Sequence, residues 1–148
     1  MPTARLARAA DLGRLLELFK MSEVSAAAEP RDRAERIWLE TLERDGVAVF
    51  VADAGERLVA TCTLITAPNL LRGGRGHGFI ENVVTHHEFR GQGYGRAVVR
   101  AALDRAWAED CFHVLLQSGR ADSRVHRFYE SCGFEPGART GYVARRPA

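Results

Sequence analysis

Lysine is almost missing from this chain: Lys20 is the single one, and arginine supplies the remainder of the 21 basic residues. Against 19 acidic residues this leaves a formal charge of +2, with the arginines scattered and not gathered on one helical face, so no nucleic-acid footprint is present. The lysine deficit itself reads as biased coding composition. Long apolar runs are missing too. No stretch reaches the length needed to span a bilayer, and the start Met1-Pro2-Thr3-Ala4-Arg5 has no apolar signal region, so no membrane partner and a cytoplasmic location are expected. Cysteine is sparse: Cys62, Cys111 and Cys132 form an odd set without metal-type spacing and read as reduced, small apolar residues. No linker, repeat or low-complexity segment divides the chain, and 46% hydrophobic residues suffice for a real core. One domain over residues 1–148 is expected.

What is present alternates between two periods. Thr3 to Ala7 reads as a short strand, and Asp11 is placed to cap a helix with Leu12, Leu15, Leu16 and Phe19 on one face. After the small, polar segment from Ser22 to Pro30, which suits a lid, a second helix over 32–42 sets Ala34, Ile37, Trp38 and Thr41 at helical spacing. Val47–Val51 and Leu58–Ile65 are β-branched runs joined by a turn-rich connector, hence an antiparallel hairpin. A glycine- and arginine-rich loop from Asn69 to Gly78 precedes a strand over Phe79–Thr85. The helix from Tyr94 to Ala108 turns Val98, Val99, Ala102, Leu103 and Ala106 inward. A strand from His113 to Gln117, a helix from Asp122 to Ser131 stopped by Gly133, and a last strand near Arg139–Arg145 complete a mixed α/β chain, with parallel pairing expected only around the glycine turn.

That glycine turn is the most informative stretch. An apolar strand ending Val83-Val84-Thr85 runs into Arg90-Gly91-Gln92-Gly93-Tyr94-Gly95-Arg96 at the start of a long helix. Gly91, Gly93 and Gly95 leave the backbone free of Cβ atoms, so successive N–H groups can converge at the positive end of the helix dipole, and Arg90 and Arg96 flank that point. A phosphate or pyrophosphate is the natural occupant. The order R-x-x-G-x-G is neither the Rossmann fingerprint nor the Walker A loop, so neither nucleotide motif fits.

Other residues invite chemical readings. Glu81 sits in the apolar run Phe79-Ile80-Glu81-Asn82-Val83-Val84, where a carboxylate is costly unless it opens into a cleft; burial would raise its pKa and suit it to accept a proton, while binding the acceptor amine or lying at an exposed strand end are the alternatives. His86 and His87 are adjacent and would point to opposite sides of an extended chain, and His77, His113 and His126 lie on separate elements, so no metal is expected. Arg72, Arg75 and His77 could meet an anionic group on a substrate or simply be solvated loop charges.

Arg90-x-x-Gly93-x-Gly95 after a strand, followed one helix and one strand later by Phe128-Tyr129-x-x-x-Gly133-Phe134, resembles the GCN5-related N-acetyltransferases. Within that family, Ile80-Glu81-Asn82-Val83-Val84 together with Phe128 to Phe134 is similar to the glucosamine-phosphate acetyltransferases. The resemblance implies a mixed, mostly antiparallel sheet of about six strands flanked by about four helices. It also implies acetyl-CoA as co-substrate, with the pyrophosphate on Arg90, Gly91, Gln92, Gly93, Tyr94, Gly95 and Arg96 and the pantetheine arm paired to Val83, Val84 and Thr85. The acceptor would be a small-molecule primary amine. Backbone N–H groups near Val83 and Val84 would polarise the thioester carbonyl, and Tyr129 would face the sulfur. A phenol ordinarily titrates near about 10 and a thiol near about 8.5, so proton donation from Tyr129 is slightly uphill yet feasible in a dry site. The resemblance also carries two departures. Asp122 stands where many members have an asparagine that contacts the coenzyme, and the fourteen residues after Phe134 suffice for one strand where longer members make two. An unpaired edge left by that second departure leads to the expectation of a homodimer. A coenzyme-binding sensor that does not turn over is the alternative to an enzyme.

Overall fold

The computed structural model describes residues 1–148, which divide into two compact units, Met1–Leu116 and Gln117–Ala148. The first unit holds a five-stranded sheet in the order β1 (Arg5–Leu6), β2 (Val47–Ala54), β3 (Arg57–Ala67), β4 (Gly76–Thr85), β5 (Cys111–Leu115). All pairings are antiparallel except β4 with β5, the two strands on either side of the glycine turn and the helix it opens, where parallel pairing is expected. The helices of this unit are α1 (Leu12–Lys20), α2 (Arg31–Glu43) and α3 (Tyr94–Ala108). The second unit contains α4 (Ser123–Ser131). No helix is long and apolar enough to cross a membrane.

The two periods explain the core. Leu12 and Leu15 of α1 and Trp38 of α2 cluster with Val49, Val51 and Leu58, while α3 turns Val98, Val99, Ala102 and Ala106 fully inward. Each fully buried valine here contributes about 1.5–3 kcal/mol of transfer free energy. The outward set Arg96, Arg100 and Asp104 is exposed, as its spacing predicts. Ile37, placed inward by spacing, is instead 42% exposed, because α2 buries a narrow stripe of Ala34 and Trp38.

Three further expectations are corrected. There are five strands and not six: residues 135–148 form neither helix nor strand, and this segment, rich in glycine and arginine with Tyr142 and Val143 largely exposed, buries too little to hold a strand alone. β4 starts at Gly76, inside the stretch read as loop. The glycines there serve close approach: a Cβ on Gly76 would lie 2.8 Å from Ala67 O, and one on Gly78 would lie 3.0 Å from Val114 Cγ2. Asp11 precedes α1 but makes no side-chain cap bond. Its buried carboxylate instead accepts from Arg5 Nη1 at 2.8 Å, Arg14 Nη2 at 2.6 Å and Arg8 N at 2.7 Å, and both arginines also reach Asp53. This pins the entry of α1 to the β2–β3 hairpin.

Candidate active site

Three features of the first unit meet at the end of β4. The first is a bulge. Thr63 pairs with Glu81 and Thr61 with Val84, so Cys62 stands opposite two residues, Asn82 and Val83. Asn82 takes φ 52°, the left-handed region that asparagine tolerates better than its β-branched neighbours. An asparagine inside an apolar strand is the sequence signal of such a bulge, one that strand periodicity alone does not show.

The second feature is an open edge. The β5 ladder stops at Phe79 opposite Leu115, whereas the β3 ladder runs on to Thr85 opposite Ala60. From Ile80 to Thr85 the strand is therefore laddered on one side only. Ile80 and Val84 face the core, Val83 and Thr85 are half-buried, and Glu81 and Asn82 are exposed. The exposure of Glu81 corrects the burial argument: any role as a proton acceptor must rest on its position beside the bulge and not on desolvation.

The third feature is the glycine turn. β4 leaves through a short 3-10 turn, His87–Phe89, and Gly91 and Gly93 both adopt positive φ, 75° and 93°. A Cβ on Gly93 would meet nothing closer than Pro2 Cγ at 3.4 Å, so the demand for glycine is one of backbone conformation and not of space. Gly93 occupies the N-cap of the fifteen-residue α3 without a capping side chain, and the first turn holds no acidic residue. The N–H groups of Tyr94, Gly95 and Arg96 thus sit at an uncompensated positive helix end. Arg90 and Arg96 are exposed there, Gln92 Nε2 donates to Glu88 O at 3.2 Å, Tyr94 is half-buried and Gly95 is buried.

The histidines behave differently from expectation. His86 and His87 do not diverge: the chain leaves the extended conformation there and the two rings stack, centroids 4.6 Å apart. His86 is 1% exposed, and its burial first, then the Arg57 guanidinium, hold its pKa below the ordinary histidine value. In the loop before β4, Arg75 pairs with Asp110 at 3.2 Å and Arg72 lies over the Phe112 ring at 4.5 Å, while His77, within β4, stacks on Phe79.

In the second unit, Asp122 caps α4 by accepting from Arg124 N at 2.8 Å. The other end carries a complete left-handed stop. Gly133 takes φ 97°, its N–H donates to Glu130 O at 3.0 Å, and Phe134 N–H donates back to Tyr129 O at 3.1 Å. The rings of Tyr129 and Phe134 meet edge-on with centroids 6.1 Å apart, and Phe128 lies 5.2 Å from Tyr129 on the same terms. The spacing Tyr129-x-x-x-Gly133-Phe134 is thus the signature of a helix stop whose accompanying apolar contact fixes the tyrosine ring.

Comparison with known proteins bears on the whole of this arrangement. The sequence profile of the acetyltransferase (GNAT) family matches residues 12–134, running across both units. A glucosamine 6-phosphate N-acetyltransferase of Trypanosoma brucei brucei is 32% identical over 125 residues, which is 83% of this chain and 77% of that protein. A solved putative acetyltransferase from Agrobacterium tumefaciens str. C58 is 42% identical with a TM-score of 0.89, over 97% of this chain and 99% of that one. A structure described as a transcriptional regulator from Bacillus halodurans C-125 is 25% identical with a TM-score of 0.83, over 98% of this chain and 100% of its own.

Proposed function

The chain belongs to the acetyltransferase (GNAT) family, and from that premise we propose that it moves the acetyl group of acetyl-CoA to a small-molecule primary amine by direct attack in a ternary complex. Residues 1–148 act in this reading as one catalytic domain, since the family match crosses the boundary between the two units. The observation that carries it is the open edge of β4 beyond the Asn82 bulge, leading without a break into a turn of positive-φ glycines at a helix N-terminus. Such an edge offers backbone N–H and C=O groups at Val83 and Thr85 to an amide-bearing arm, and the turn offers convergent N–H groups to a pyrophosphate.

In this reading the bulge turns backbone N–H groups near Val83 and Val84 toward the thioester carbonyl, where they stabilise the oxyanion that forms as the amine nitrogen attacks. The carbon–sulfur bond breaks, and Tyr129 gives its phenolic proton to the departing thiolate. Glu81, directly or through water, takes the proton that the amine nitrogen loses. The proton balance closes through solvent, which returns a proton to Tyr129 and removes one from Glu81. No step requires a metal.

The glucosamine 6-phosphate N-acetyltransferase relative makes an amino sugar phosphate the first acceptor to test. Thiol release is measured with acetyl-CoA fixed and a panel of amines varied, glucosamine 6-phosphate among them, on the native protein and on Tyr129→Phe and Glu81→Gln. We expect one amine to support turnover, Tyr129→Phe to lose about 100-fold or more in kcat, and Glu81→Gln to lose acceptor kcat/KM while leaving acetyl-CoA binding intact. The transcriptional-regulator relative favours a second reading, a coenzyme-binding sensor. Coenzyme binding without thiol release across the panel, and a Tyr129→Phe variant identical to native protein, would select it.

We also propose a homodimer in which residues 139–145, irregular in the single chain, gain a partner strand from a second copy. The exposure of Tyr142 and Val143 supports this.

A further inference from the structure

His86 is the residue at which β4 bends into the glycine turn. Its Nδ1 accepts from the Glu88 N–H at 3.1 Å, which caps the His87–Phe89 turn. Its Nε2 lies 2.7 Å from Arg57 Nη2. Arg57, the first residue of β3, also reaches Glu88 Oε2 at 3.7 Å and stacks over the Phe89 ring at 5.5 Å. Phe89 in turn meets Tyr94, the first residue of α3, edge-on at 5.8 Å. Contacts therefore run unbroken from the β2–β3 hairpin to the helix end on the far side of the turn. The glycines between are conformationally permissive and do not hold their own geometry.

Resting on the coenzyme reading of this turn, we propose that Arg57 and His86 are positioning residues that clamp it in its anion-binding geometry, and that the clamp holds only while the His86 ring is neutral. With Nδ1 accepting from the Glu88 N–H, the one proton of the neutral ring sits on Nε2, so Arg57 covers that edge of the ring by packing and holds the turn through Glu88 Oε2 and the Phe89 ring. A second ring proton, on Nδ1, would set N–H against the Glu88 N–H, remove that cap and place a cation beside Arg57. The charged groups around the ring are Arg57 on β3, His87, Glu88 and Arg90 on its own loop, and Arg14 and Glu17 of α1 with Glu56 of the hairpin, which line with it a cavity of about 310 Å³. His86, His87 and Glu88 also bring donor atoms within 4.8 Å of one another, but the Glu88 N–H takes Nδ1 of His86 and Arg57 covers Nε2, so a metal would have to displace one of them first.

The test is direct calorimetric binding of acetyl-CoA between about pH 5.5 and 8.5, with dephospho-CoA run alongside because a phosphate monoester itself titrates near about 6. For the native protein we expect affinity to fall about fivefold below about pH 6.5 with either ligand, the equivalent of one lost cap. Arg57→Ala should weaken binding about fivefold near pH 8 and move the midpoint of the fall to higher pH, because a charge that resists ring protonation is gone. His86→Asn keeps an acceptor for the Glu88 N–H and should show no such fall with dephospho-CoA. Parallel pH profiles in all three proteins would overturn the proposal by reducing both residues to scaffold. Absence of binding by native protein at every pH would overturn the coenzyme reading and the clamp with it. Thermal unfolding of each variant is checked first; if Arg57→Ala does not fold, the His86→Asn profile alone decides.

Discussion

Gly93 and Gly133 offer a matched perturbation with different readouts. Both lie at positive φ, 93° and 97°, and neither crowds an added Cβ: Pro2 Cγ at 3.4 Å is the nearest atom to one, and nothing lies within 4 Å of the other. Replacement by alanine therefore imposes nearly pure backbone strain, about 2 kcal/mol at so large a positive φ. For a chain of this size each kcal/mol lowers Tm by about 2–4 °C, so both variants should melt about 4–8 °C below the native protein. Function should separate them. If the Gly93 backbone relaxes toward negative φ, the N–H groups at the start of α3 lose their convergence, and about 2 kcal/mol of lost complementarity raises KM for acetyl-CoA about 30-fold with the acceptor KM unchanged. If the Gly133 stop relaxes, the Tyr129–Phe134 contact loosens; kcat should fall about 10-fold or more while KM for acetyl-CoA holds. Steady-state kinetics varying each substrate in turn, beside calorimetric Tm values, read all of this. A Gly93→Ala variant whose acceptor KM rises while its acetyl-CoA KM does not would refute the assignment of the turn.

The Asp11 network makes the protein sensitive to acid. Hydrogen bonds from Arg5, and then from Arg8 N and Arg14, hold the Asp11 carboxyl well below the usual carboxylate range, and Arg5 lowers Asp53 in the same sense. Carboxyls depressed in the folded state stabilise it fully above about pH 4 and lose that contribution as pH falls through their folded values, so Tm should drop steeply there in native protein and less in Asp11→Asn. At neutral pH Asp11→Asn should cost about 2–3 kcal/mol by urea unfolding, below the range for a fully buried pair because Arg5 and Arg14 keep partial solvent contact. Sedimentation at micromolar protein should find a dimer; a monomer that persists at higher concentration would remove the paired C-terminal segment.

Periodicity carried the helices and the hairpin, because an amphipathic α3 and the runs Val47–Val51 and Leu58–Ile65 each have one way to bury their apolar side. The glycine turn and the Tyr129-to-Phe134 stop were legible for the same reason: positive φ leaves a mark in residue type. What escaped depends on partners distant in sequence. Nothing local distinguishes Arg57 or Asp53 from other surface charges until the sheet brings them to His86 and Arg5. Gly76 and Gly78 read as loop because the close approach of Ala67 and Val114 that requires them is tertiary. Residues 139–145 have strand-like composition at Tyr142-Val143 but no neighbouring ladder in the single chain.

The half-laddered stretch from Ile80 to Thr85 has a consequence beyond binding. Backbone groups presented on an unpaired strand side are a template on which any extended chain can add itself, including another misfolding copy. The Asn82 bulge bends that side out of line and limits the run available to an intruder. A molecule that lies along the same side completes the work by occupying it, and stabilises the folded form by mass action, by an amount that grows with the logarithm of its excess over Kd. Supply of the donor would in this way govern how long the protein survives in solution as well as how fast it works.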